Sequence, residues 1–153
     1  MHDSLPDKTA RREDFRHFVA IQTRWNDLDS YRHLNNARYY AFFDTVIMDY
    51  LQSVGGFDLL HGPVLPFTVE NRCRYFQSLT FPDVVETGLR VARIGNTSAR
   101  YEMGLFKKGD AEIHAAGAFV DVFVDAQTQL PTPIPSALRQ HLEAIQWPPA
   151  NIL

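Results

Sequence analysis

The segment that most restricts what this chain can fold into covers residues 36 to 53. Tyr39, Tyr40, Phe42, Phe43, Val46, Ile47, Tyr50, Leu51 and Val54 recur at steps of three and four, which is helical spacing. They cover far more of the helix circumference than the single apolar stripe of a surface helix. Such a helix, about 27 Å long at a rise of ~1.5 Å per residue, must be largely enclosed by the rest of the chain. Asn35 or Asn36 can accept amide hydrogen bonds at its start, and Gly55 and Gly56 supply a positive-φ exit.

The enclosing material is β-structure. Ahead of the helix, residues 16 to 25 alternate, with Val19, Ile21 and Thr23 on one face. Past Pro63 and Pro66, Phe67, Val69, Asn71, Cys73 and Tyr75 alternate with Thr68, Glu70, Arg72 and Arg74. A turn at Phe81, Pro82 and Asp83 precedes the run VVETGLRVARI; Gly95 and Asn96 give a hairpin signal; TSARYEMGLF then runs to a turn at Lys108, Gly109 and Asp110, and EIHAAGAFVDVFVD follows. PTPIP ends the pattern, and SALRQHLEAIQW forms a short amphipathic C-terminal helix. The order of strand, long helix and four strands defines an α+β fold, one antiparallel sheet wrapped around one central helix. The expected organisation is a flexible tail over residues 1–13, a single domain over 14–147 and a C-terminal tail over 148–153.

With 153 residues, 45% of them hydrophobic and 22% charged, the chain is sized and composed for one globular core. No apolar run is long enough to span a bilayer, so no membrane partner is expected. The first residues carry no apolar segment behind their basic positions, and the single Cys73 has no internal partner, which together suggest a cytoplasmic setting. A net charge of -3 with dispersed Lys and Arg argues against nucleic acid as a partner. His2, His17, His61, His114 and His141 show no metal-ligand spacing, and neither a metal nor a cofactor is expected.

The stretch TRWNDLDSYRHLNNARYYAFFDTVIMDYL, residues 23 to 51, carries a resemblance. An aromatic residue, Asp-x-Asp, a short loop often reading Gly-His-x-Asn-Asn, an alanine and a tyrosine form a pattern met here as Trp25, Asp27, Asp29, Arg32, His33, Asn35, Asn36, Ala37 and Tyr39. The chain resembles the hotdog-fold thioesterases of the 4-hydroxybenzoyl-CoA thioesterase type over roughly residues 15 to 135. It departs from them at Arg32, where the family usually has glycine. The resemblance implies a hotdog fold, an acyl-CoA substrate cleaved to free acid and CoA, and a catalytic acid at Asp29. It also implies a carbonyl-binding donor at the Asn36 amide and a homodimer or homotetramer with sites between subunits.

Chemistry supports the same residues. Thioester hydrolysis needs a group that activates water or attacks carbon, and donors for the oxyanion that develops on the carbonyl oxygen. The free amides and positive dipole end near Asn36 can hold that oxygen. Asp29, on the loop leading to the same helix mouth, is placed as general base or as nucleophile through a mixed anhydride. A loop aspartate is more commonly a turn or cap residue, and Asp27 is assigned an orienting role of that kind. His33 is either a carbonyl-polarising acid or a side chain bonded to backbone. Asp44 reads as structural. Asn35 and Tyr39 are candidate substrate contacts, although Tyr39, Phe43 and Tyr75 serve equally well as core. Arginine suits the phosphates of CoA, and related enzymes lay the nucleotide over the region of the Gly95-Asn96 hairpin, which makes Arg93 and Asn96 the candidates there. Two other functions fit less of the pattern: a hotdog hydratase or dehydratase using Asp29 and His33, and a non-catalytic acyl-binding module in which the polar loop only caps the helix.

Overall fold

The computed structural model describes residues 4–149. Its strands are β1 (His17–Gln22), β2 (Val64–Tyr75), β3 (Val84–Ile94), β4 (Ser98–Lys107) and β5 (Ile113–Asp125), and its helices are α1 (Asn36–Asp49) and α2 (Ser136–Ala144). The strands form one sheet in the order β1-β3-β4-β5-β2, with every neighbouring pair antiparallel. The chain therefore starts at one edge, passes through α1 and returns at the opposite edge. This is the α+β hotdog arrangement expected from sequence.

The α1 helix lies in the concave face of the sheet. Phe43, Val46, Ile47 and Leu51 are fully sealed from solvent, facing inward residues such as Leu89, Tyr101, Met103 and Phe123. Gly117 lets the helix approach: a Cβ there would stand 2.7 Å from the Phe43 ring. The helix continues past Asp49 as a π-helical turn, Tyr50–Val54. Of the two exit glycines only Gly56 has a positive φ, 62°. Gly55 is required by packing, since its Cβ would meet the Leu51 carbonyl oxygen at 2.7 Å and Leu138 of α2 at 2.8 Å.

Three boundaries differ from the sequence expectation. β1 ends at Gln22 because Trp25–Asp27 winds into a 3-10 turn, in which the Asp27 carboxylate accepts from the Arg24 N–H at 2.8 Å. β2 begins earlier, at Val64, and contains Pro66; an edge strand tolerates a missing N–H. Residues 4–13 were expected to form a loose tail, yet part of this segment packs on the outer face of the sheet. Leu5 is buried beside Phe15 and Phe106, and Arg12 donates to the Lys107 and Asp110 carbonyl oxygens and pairs with Glu86. Phe15 fits there because Gly88 and Gly104 leave room for its side chain. At the other terminus Trp147 N–H donates to Val91 O at 2.8 Å, which ties residues 145–147 to β3. The tail assigned to 148–153 lies mostly outside the described residues. No helix among the described residues is long and apolar enough to cross a membrane.

Candidate active site

The loop before α1 is built on Asp27. This carboxylate is fully buried; Oδ2 accepts from the Arg24 N–H, and Oδ1 lies 3.2 Å from Arg24 Nη2 and 3.6 Å from Arg38 Nε. Its carbonyl oxygen accepts from the Asn35 N–H at 2.9 Å. Asp27 thus fixes both ends of the loop.

Residues 28 to 34 form a small hairpin closed by a bridge between Leu28 and Leu34. Across it, Asp29 N–H donates to His33 O at 3.0 Å and Arg32 N–H donates to Asp29 O at 3.1 Å. The turn needs a left-handed residue, and Arg32 fills that position with a φ of 64°. The loop keeps the backbone that a glycine would supply, in a conformation uncommon for other residues. Thr80 Oγ1 donates to Arg32 O at 3.0 Å and anchors it. The half-buried Asp29 carboxylate accepts from the Tyr31 N–H at 2.9 Å and, at 3.4 Å, from the His33 N–H, both on Oδ1.

The helix start faces the same side. Asn35 is the N-cap, its Oδ1 accepting from the Ala37 N–H at 2.9 Å. That leaves the Asn36 N–H, the first amide of α1, without a partner among the described residues. Tyr75, at the end of β2, donates its hydroxyl to Asn36 O at 3.1 Å and meets the Tyr39 ring edge-on at 4.8 Å, which fastens the strand to the helix mouth. Asp29, His33, Asn36, Tyr39, Tyr75 and Gln77 line one cavity of about 290 Å³. Burial, with Cys73 and Asp29 nearby, pushes the Tyr39 hydroxyl up to about 12, and burial pushes the Cys73 thiol up to about 11. Both are therefore neutral near pH 7, and Tyr39 meets the cavity as an uncharged hydroxyl.

The structure thus brings Asp29, His33, Asn36 and Tyr39 together, with Asn35 as their cap. Arg93 and Asn96 are elsewhere in the chain. Tyr75 pairs with Ala115 of β5, whereas the Gly95-Asn96 hairpin adjoins Ser98, which pairs with Val122. Seven residues of β5 separate the two levels, about 23 Å at ~3.3 Å per residue. Phe43 belongs to the core. Sequence reasoning did not single out Gln77 and Ser78, which follow β2 in an irregular bend and carry no periodic signal. Among the described residues no three His, Cys, Asp or Glu side chains converge to hold a metal ion.

The model of the thioesterase-like superfamily matches residues 23–142. The chain belongs to that superfamily and is a thioester hydrolase. The long-chain acyl-CoA thioesterase FadM of Escherichia coli (strain K12) is 24% identical over 126 residues, 82% of this chain and 96% of that protein. Among solved structures, the PA5185 protein of Pseudomonas aeruginosa strain PAO1 superposes with a TM-score of 0.87 at 47% identity, covering 94% of this chain and 97% of that one. A thioesterase from Thermus thermophilus, crystallised with coenzyme A and Zn, superposes with a TM-score of 0.75 at 27% identity over 87% of this chain and 96% of that one.

Proposed function

We propose that the protein hydrolyses an acyl-CoA thioester to the free acid and CoA. The observation that carries this is the shared cavity of Asp29 and the first amide of α1. A thioester carbonyl oxygen pointed at the Asn36 N–H would gain a donor and the positive end of the helix dipole as charge develops on it. Asp29 then acts in one of two ways. As a general base it takes a proton from water, whose oxygen adds to the carbonyl carbon. As a nucleophile its carboxylate adds directly, and water hydrolyses the resulting anhydride. In both, the tetrahedral oxyanion collapses, the C–S bond breaks, and the CoA thiolate leaves and is protonated. The exposed His33, at the same cavity, is assigned as the donor of that proton. Asn35 keeps the helix mouth in shape, and Tyr39 forms a wall against the substrate. The FadM relative acts on long-chain acyl-CoA and the Thermus structure holds coenzyme A, and both support an acyl-CoA substrate here.

β2 is an edge strand, and Phe67 and Val69 on it are 38% and 62% exposed. An open, apolar edge invites pairing with a second copy, so a homodimer, or a homotetramer built from it, is the proposed state. A cytoplasmic location belongs to the same proposal. The test is free-thiol release across short, medium, long and aromatic acyl-CoAs, with and without EDTA. Turnover of at least one substrate that persists in EDTA is expected; absence of thiol release from every substrate would contradict the proposal.

A further inference from the structure

Asp29 lines a second cavity as well. On its other side Trp25, Leu28, Arg32, Thr80 and Phe81 enclose about 530 Å³, a larger space than the helix mouth. Its walls are apolar and open to water: Trp25 is 75% exposed and Phe81 40%, and the two rings meet edge-on with centroids 6.1 Å apart. The one cationic side chain lining it is Arg32. That guanidinium forms no ion pair with any described residue. Its backbone is held on both sides, by Asp29 O and by Thr80 Oγ1. A cation thus stands on a fixed turn at the rim of an aromatic pocket, beside a carboxylate.

We propose that this cavity takes the acyl group and that Arg32 selects acyl chains bearing an anion at their far end, the half-thioesters of dicarboxylic acids. The inference rests on Asp29 being the group that meets the thioester carbon. A cavity sharing Asp29 can receive only atoms close to that carbon, on the acyl side or at the start of the pantetheine arm. The phosphates of CoA lie the whole length of that arm away. The anion that Arg32 can meet is therefore one carried by the acyl group. The apolar stretch between thioester and anion rests against Trp25, Leu28 and Phe81, and the terminal carboxylate accepts charge-assisted hydrogen bonds from the guanidinium. Without Arg32, the negative charge of Asp29 would disfavour such a chain; with it, the sign at the far wall is reversed.

The test uses binding rather than turnover. The chain has two tryptophans, and Trp147 lies on the outer face of the sheet against Arg16 and Arg90, so Trp147→Phe leaves Trp25 as the sole indole reporter. Non-hydrolysable thioether analogues of glutaryl-CoA and hexanoyl-CoA, similar in chain length, are titrated against this protein. Both should change Trp25 emission, and the carboxylated analogue should bind about tenfold more tightly, as expected for one charge-assisted contact. In Arg32→Gln and Arg32→Gly that ratio should fall to one or below. A ratio that stays at the parental value in both variants overturns the proposal. So does emission that ignores both analogues at concentrations where calorimetry shows binding, or that follows protein dilution instead of ligand. Because thioethers are not hydrolysed, loss of selectivity in the Arg32 variants and loss of turnover in Asp29→Asn are read separately.

Discussion

Asp27 and Asp29 stand two residues apart on one loop, yet the first is sealed from water by Arg24, Arg38 and the Asn35 amide, while the second faces a cavity. The family resemblance assigned the two different roles, because the second aspartate is the nearer match to the catalytic acid of the pattern. Asp27→Asn keeps the shape but removes the charge that Arg24 and Arg38 meet. It should cost about 1.5 to 3 kcal/mol of stability, the range for hydrogen bonds to charged groups, and reduce turnover less than the same change at Asp29. Urea unfolding and saturation kinetics on the two variants check this, and a destabilisation confined to Asp29→Asn would reverse the assignment. Residue type alone did not reveal how Arg32 would behave. An arginine in a glycine position leaves the loop backbone open in sequence, and the answer, a φ of 64° held by Thr80, depends on a residue 48 positions later in the chain.

At the scale of elements, periodicity carried most of the fold. The helix over 36 to 53 and the alternating runs after Pro66 correspond to α1 with its π-helical turn and to β2 through β5. What periodicity could not supply were contacts made by isolated residues. Leu5 is one apolar side chain in a polar stretch, and the helix expected to run through Trp147 ends at Ala144 because residues 145–147 bond along β3 instead; both Leu5 and Trp147 lie against the outer face of the sheet. The two exit glycines show how an element end combines separate requirements. Gly56→Ala meets nothing within 4 Å but has to hold a φ of 62°, costing about 1 to 2 kcal/mol. Gly55→Ala has an unstrained φ of −76° but drives a methyl into the Leu51 carbonyl and Leu138, costing about 1 to 3 kcal/mol by overpacking. Thermal unfolding should show both losses, at about 2 to 4 °C per kcal/mol for a domain of this size. Leu138→Ala should add less to the loss of Gly55→Ala than to that of Gly56→Ala, since it removes one of the two contacts the new methyl meets; equal added losses would refute the packing explanation.

For the whole molecule, one buried carboxylate sets a pH dependence. Asp121 falls on the same face of β5 as Phe119 and Phe123, under α1, with Thr68 Oγ1 donating to Oδ1 at 2.8 Å and Oδ2 unpartnered. Burial, opposed by Thr68 and reinforced by Asp44, pushes it up to about 6 from an ordinary 3.8. The folded state therefore holds this proton more tightly than the unfolded chain. Its contribution to stability is fully present below about pH 4 and is lost as pH rises through about 6. Asp121→Asn should remove that fall and raise stability at pH 8 by as much as about 3 kcal/mol, the value of a shift of ~2 pH units. Denaturation curves at pH 5 and pH 8 that stay parallel for parent and variant would contradict this. The enclosed helix, capped mouth and clamped loop together set Asp29 and the start of α1 on one cavity. Asp29→Asn preserves size and hydrogen-bonding reach while removing the charge proposed to activate water or attack carbon. Saturation kinetics on a substrate the parent hydrolyses, with thermal unfolding to confirm the fold, is the most direct measurement. Turnover should fall by about 10²-fold or more with substrate binding retained and the fold intact; near-parental turnover in a folded Asp29→Asn protein would contradict the account.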